Sequence, residues 1–167
     1  MRIRPIDRHA PDEIERVAER MRLTLMEVEG DEVGGALYTL DWLRDRVRWH
    51  LDPAACTGEV FVAEAAGEDV AGHTIVRVET DVLGRRFGLF STTYVVPAWR
   101  RHGVAAALLV HGEEWLRAHG VPSISTWTSA TNTPLIALYA RHGYSEAERG
   151  DHPATGTSMV RLERTWR

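Results

Sequence analysis

The chain has 167 residues, 44% of them apolar and 26% charged, the balance of an ordinary globular domain with room for one sizeable core. Its 20 basic residues stand against 24 acidic ones, and the net charge of −4 argues against a polybasic nucleic-acid or membrane binder. Every basic residue is Arg, so neither a Walker-type phosphate lysine nor a Schiff-base lysine is available.

Cys56 is the only cysteine, which precludes an intrachain disulfide or a thiolate zinc cluster and points to a reducing, cytoplasmic setting. The opening Met1 to Ile6 lacks the apolar run of a secretory signal, and the strongest apolar run, Val104 to Val110, is too short to span a bilayer. No repeat or linker divides the chain, so a single domain over residues 1–167 is expected.

Met1 to Ile6 reads as a short strand. Apolar residues then recur at Ile14, Val17, Met21, Leu25 and Val28, the three-and-four spacing of a helix, which Glu29-Gly30-Asp31 and Gly34-Gly35 are expected to break into a loop. A second helix carries Leu40, Leu43, Val47 and Leu51 and stops at Asp52-Pro53. The period then falls to two: Glu59 to Glu64, Val70 to Thr80 and Phe87 to Val96 read as three strands joined by turns at Ala66–Asp69 and Leu83–Arg86. Gly103 to His119 is a strong helix with Gly120 as its stop. A strand at Ile124–Thr128 leads to a helix with Thr133 as cap and Pro134 at its first position, ending at Gly143. Tyr144–Ala147 and Gly156–Leu162 are final strands around a polar loop with Gly150, Asp151 and Pro153. The order βααβββαβαββ predicts an α+β fold: a mixed, mostly antiparallel sheet of six to seven strands with helices on both faces.

The stretch from Tyr94 to Leu109 carries the chemistry. A strand runs into the basic loop Arg100-Arg101-His102, then Gly103, then a helix opening on Val104, Ala105 and Ala106. Free N–H groups and the positive dipole end at such a helix start favour an anion, and the small residues let one approach. Arg100, Arg101 and His102 add donors suited to phosphate oxygens. A plain turn glycine is the alternative reading of Gly103, and the three-glycine spacing of a dinucleotide fingerprint is missing.

A second stretch runs Trp127-Thr-Ser-Ala-Thr-Asn132 and on through Leu138-Tyr139-Ala-Arg-His-Gly143-Tyr144. With Arg100-x-x-Gly103-x-Ala105 before it, and over almost the whole element string, the chain resembles the GNAT superfamily of N-acetyltransferases. That resemblance implies acetyl-CoA as co-substrate and direct acetyl transfer to a primary amine of a small molecule or peptide. It assigns the backbone of Val95 and Val96 to the pantetheine arm and the thioester oxygen, and the N–H groups of His102, Gly103, Val104, Ala105 and Ala106 to the pyrophosphate. Asn132 would bond the pantetheine, and Tyr139, with an ordinary pKa of about 10, would protonate the departing thiolate. Seven residues at about 100° each bring Asn132 and Tyr139 to similar sides of a regular helix. The same two residues also read as a turn former and a core aromatic. The resemblance is compatible with a homodimer.

Many members of that family place a glutamate on the fourth strand as general base, where this chain has Phe90-Ser-Thr-Thr-Tyr94. Glu79, Asp81, Glu29, Glu32 and His73 are the remaining candidates, each also readable as a solvated or packing residue. The missing carboxylate keeps open a non-catalytic acyl-CoA sensor, and beyond that a plain interaction domain. No His-Glu-x-x-His or Gly-x-Ser-x-Gly occurs, so the sequence supports neither a metal site nor a serine hydrolase. Trp127 is placed beside the expected cleft, as acceptor wall or as packing residue.

Overall fold

The computed structural model describes residues 1–166. Seven strands, β1 (Arg2–Pro5), β2 (Gly58–Ala65), β3 (Glu68–Thr80), β4 (Arg86–Val95), β5 (Ser123–Ser129), β6 (Ser145–Asp151) and β7 (Ser158–Thr165), form one sheet in the order β1-β2-β3-β4-β5-β7-β6. All neighbours are antiparallel except β4 and β5, which are joined by the crossover helix α4 (Val104–Ala118). The helices α1 (Pro11–Glu29), α2 (Asp31–Ala36), α3 (Leu40–Leu51) and α5 (Thr133–Arg141) complete the fold.

The alternation of β2 builds two cores at once. Val60 and Val62 face α1 and α3, packing with Ile14, Val17, Leu43 and Val47, while Phe61 and Ala63 face α4 with Leu108, Leu109 and Leu116. Full burial of a leucine such as Leu108 or Leu116 stabilises the fold by about 1.5–3 kcal/mol. Helices thus cover both faces, but on their side α1 and α3 reach no further across the sheet than β4. The face carrying Phe87, Leu89, Ser125, Trp127 and Arg161 stays open as a cleft of about 690 Å³.

Three expectations shift. The chain does break after α1, at Gly30 with φ of 87°, yet Asp31 at once restarts a helix, so the expected loop is the short helix α2. Gly34 serves packing there: a Cβ on it would lie 2.3 Å from the Leu25 carbonyl oxygen, so only glycine lets α2 close on α1. The helix α5 starts one residue early, with Asn132 rather than Thr133 as its cap. Finally, β6 runs on through Gly150 and Asp151, read above as loop, and β7 continues to Thr165. Every residue of β6 is exposed, so no apolar alternation could mark it; pairing with β7 makes it a strand.

Candidate active site

The last ladder pair between β4 and β5 is Phe90 with Thr126; beyond it the two strands part. The Val96 N–H donates to the Ala71 carbonyl at 2.8 Å, and the Val96 carbonyl accepts the Trp99 N–H at 2.9 Å. The backbone of Val96 is therefore fully engaged away from the opening, which corrects its assignment to pantetheine. By the alternation of an antiparallel ladder, the N–H of Val95, paired opposite Gly72, points the other way, into the gap. Of the two expected backbone partners, the structure brings only Val95 there.

After Pro97–Trp99, a 3-10 turn, Arg101 takes a φ of 62° and Gly103 a φ of 78°, two left-handed residues that fold the basic loop back to start α4. Such a φ costs an ordinary side chain about 1–2 kcal/mol, which explains glycine at 103. The first intrahelical bond runs from Ala107 N–H to the Gly103 carbonyl, and no side chain caps the helix. The N–H groups of Gly103, Val104, Ala105 and Ala106 are consequently left for a ligand. No atom lies within 4 Å of where a Gly103 Cβ would sit, so the approach is open.

These elements wall a groove of about 540 Å³ that runs from the parting strands across the start of α4 to α5. Thr93, Tyr94 and Val95 form one end, Gly103 to Ala106 the middle, and Asn132, Leu135, Leu138 and Arg141 the far side. Arg100, Arg101 and Arg141 outnumber Glu27 among its charged residues, so the groove suits an anion. Arg141 and Thr93 were not singled out from the sequence. Arg141 follows Asn132, Leu135 and Leu138 at steps of three, the spacing of a helix stripe, and that signal was legible.

The remaining expected residues divide. Arg101 lines the groove. The guanidinium of Arg100 turns from the helix start: Nε donates to the Val95 carbonyl and Nη2 to Glu27. The His102 ring is tied to the Arg100 carbonyl at 2.8 Å and packs on Trp99, outside the groove lining. Asn132 lines the groove while its amide oxygen caps α5 by accepting the Leu135 N–H and its amide nitrogen donates to the Thr128 hydroxyl at 3.5 Å.

Tyr139 projects elsewhere. It is 2% exposed, edge-on to Phe90 and Tyr144, and outside the groove lining, because Asn132 lies at the cap, before regular helix geometry begins. Burial pushes its phenol far above the ordinary value, only partly offset by hydrogen bonding with Thr126 and Thr93.

None of the base candidates stands free beside the gap. Glu79 accepts from Arg77 at 2.5 Å, and Glu29 accepts the Thr157 hydroxyl at 2.7 Å. Asp81 closes its own turn, accepting the Leu83 and Arg85 N–H groups, and those bonds hold its carboxyl below the usual range. Glu32 is exposed in the first turn of α2. His73 is wholly buried against the α1 side with neither ring nitrogen bonded, and burial lowers its pKa to about 3, so it stays neutral. Cys56 is half-buried, with its thiol pushed up by burial. Trp127, 40% exposed, lines the open cleft on the other face of the sheet.

Similarity to known proteins agrees with this geometry. Residues 13–144 match the model of the acetyltransferase (GNAT) family. A stretch of 53 residues is 36% identical to the aminoglycoside N(6')-acetyltransferase type 1 of Klebsiella aerogenes, covering 32% of this chain and 35% of that relative, about a third of its length. Among solved structures, a chain of the NatC complex bound to Gag peptide and CoA superposes with a TM-score of 0.79 at 15% identity, over 99% of this chain and 98% of that one. The ribosomal-protein-alanine N-acetyltransferase of Brucella melitensis gives 0.73 at 19% identity, over 99% of both chains. At such identities the structures establish the shared fold, and the family match, covering most of the sequence, settles membership: the chain belongs to the GNAT acetyltransferase family.

Proposed function

We propose that this protein transfers the acetyl group of acetyl-CoA to a primary amine, with the groove as cofactor site and the open cleft around Trp127 as acceptor site. The observation that carries the reading is the uncapped, glycine-led start of α4 lying against the gap between β4 and β5. When bound, acetyl-CoA supplies an activated acyl carbon. The N–H groups of Gly103 to Ala106, with Arg101, hold its pyrophosphate, and Asn132 bonds the pantetheine chain. The Val95 N–H, directed into the gap, donates to the thioester oxygen as charge builds there.

In the transfer itself, the lone pair of the amine forms the C–N bond and the C–S bond breaks with its electrons going to sulfur. The second proton of the amine leaves to water, since among the described residues no carboxylate or neutral imidazole stands free at the gap. Much of the acceleration then comes from holding amine and thioester together. In this reading the departing thiolate takes its proton from water, because Tyr139 is buried outside the groove lining and burial makes its phenol hold its own proton more tightly. The acceptor is a small-molecule or peptide amine, and the lone cysteine is compatible with a reducing, cytoplasmic setting.

Thiol release from acetyl-CoA with kanamycin, spermidine and an alanyl peptide tests this reading. Turnover with at least one amine supports it. Saturable CoA binding with no turnover on any of the three would instead identify an acyl-CoA sensor.

A further inference from the structure

Among the described residues, each carboxylate that lines the open cleft is already neutralised by an arginine: Glu79 by Arg77, Asp81 by Arg85 and Glu163 by Arg161. The lining therefore offers no free negative charge to an acceptor with several ammonium groups. The unmatched charge at its edge is positive and lies toward α3. Arg77 stands directly opposite Leu89 in the ladder and so shares the face of the sheet that carries the cleft. Besides its bond to Glu79, it donates from Nη1 to His50 Nε2 at 3.0 Å. His50 is 1% exposed and gives its Nδ1–H to the Arg46 carbonyl at 2.8 Å, which makes it a neutral, fixed acceptor beside Arg77.

The Trp49 indole packs edge-on to that imidazole, and two guanidiniums converge on it. The central carbon of Arg46 lies 4.0 Å from the ring centroid and that of Arg77 5.8 Å. Arg44 and Arg48, its neighbours along α3, pair with Asp41 and Asp45, whereas Arg46 makes no ion pair and no side-chain hydrogen bond among the described residues. Burial and the nearby Arg77 both hold the Arg46 guanidinium below its ordinary pKa. A half-buried guanidinium with a second one for a neighbour is stabilised by an anion, and its planar fork matches a carboxylate.

We propose that the acceptor is an amine that also carries a carboxylate, and that Arg46 is the residue that binds this carboxylate. The proposal rests on the acetyl-transfer reading above and names its substrate class. Leu89, the partner of Arg77, is one residue from Phe90, where β4 last pairs with β5. Neighbouring strands lie about 4.8 Å apart, and an extended dipeptide spans about 7 Å, so a short peptide with its amine at the gap brings its carboxylate to the α3 side of the cleft. Phe87, Leu89 and Trp127 offer apolar surface to what lies between.

The experiment uses the full chain and measures thiol release from acetyl-CoA with alanyl-phenylalanine and its carboxamide, beside kanamycin and spermidine. The parent is expected to favour the acid over the carboxamide about 10–100-fold in kcat/KM, the worth of one hydrogen bond between charged groups. The intrinsic effect runs the other way, since a carboxylate makes its own ammonium harder to deprotonate. Arg46→Gln is expected to abolish the preference and Arg46→Lys to keep part of it, as a point charge without the fork. Acid and carboxamide are compared on the same protein, so a loss of folded enzyme leaves their ratio untouched. A parent that turns over the two alike or prefers kanamycin or spermidine, or an Arg46→Gln variant that keeps the preference, overturns the proposal and leaves acetyl transfer standing. A parent silent with all four amines overturns the acetyl-transfer reading itself, and the proposal with it.

Discussion

The guanidinium of Arg100 spans the mouth of the groove: Nη2 donates to Glu27 Oε1 at 2.7 Å while Nε donates to the Val95 carbonyl at 2.9 Å. The end of α1 is thereby tied to the loop that opens α4. The two side chains are 43% and 49% exposed, so the pair contributes at most about 1 kcal/mol to the fold. Its larger effect falls on charge, because Glu27 is an acidic residue in a groove that is to hold a polyanion. Glu27→Gln is therefore expected to tighten CoA binding about threefold at low salt, with the gain shrinking as ionic strength rises. Calorimetry at two salt concentrations measures this; weaker binding in the variant would show that Arg100 has to be held where Glu27 holds it.

With no free protein base at the gap, the pH dependence of the reaction belongs to the acceptor. The rate with saturating acetyl-CoA is expected to rise with pH toward the pKa of each amine, and two acceptors differing by about one unit should give profiles displaced by about one unit. Steady-state kinetics across pH 6 to 10, roughly the span between His and Lys titration, decides it. A shared inflection for both amines would assign deprotonation to a residue of the protein.

Two buried histidines make stability itself pH-dependent. Burial lowers the pKa of His73 to about 3 and that of His50 to about 4, although the His50 Nδ1–H is bonded to the Arg46 carbonyl. The unfolded chain thus binds more protons than the folded one below the ordinary histidine value of about 6.5. Stability is expected to be level above neutrality and to fall steadily from pH 6.5 to 4.5, roughly the window before carboxylates such as Glu13, held low by Arg4, begin to titrate. His73→Leu removes one of the two groups and an unbonded buried imidazole. Urea denaturation should show the variant no less stable than the parent at pH 7, with about half the slope across that window. An undiminished slope would mean that His73 is protonated in the folded protein.

Under α4, Gly112 lies against the ring on which Tyr139 packs. A Cβ at that position would sit 2.5 Å from Phe90 Cε1. Gly112→Ala is expected to lose about 1–3 kcal/mol despite its better helix propensity, since overpacking outweighs the roughly 1 kcal/mol that alanine offers. Thermal or urea unfolding gives the sign directly. A stabilised variant would show that Phe90 yields without cost.

Much of the architecture was legible because each core-facing element carried its own period. The alternation through Val60 to Ala63 announced β2, and the apolar face of Leu108, Leu109 and Leu116 announced α4. Of the polar edge strand β6 only the start near Tyr144–Ala147 was legible; its run on through Gly150 and Asp151 buries nothing and depends on pairing with β7 alone. At the site, Gly103 and the small residues after it marked the helix start. The direction of Val96, the turn of Arg100 toward Glu27 and the burial of Tyr139 depend on ladder phase and distant partners, which spacing along the chain does not encode.

Calorimetric titration of the purified protein with CoA, beside an Ala105→Glu variant, tests most directly whether the groove at the start of α4 is a cofactor site. Ala105 lines that groove, and a carboxylate there meets the phosphates with bulk and like charge. The account predicts one saturable, salt-sensitive site in the parent and its loss in a variant that melts as the parent does. Equal binding by both proteins, or no binding by the parent, would contradict it.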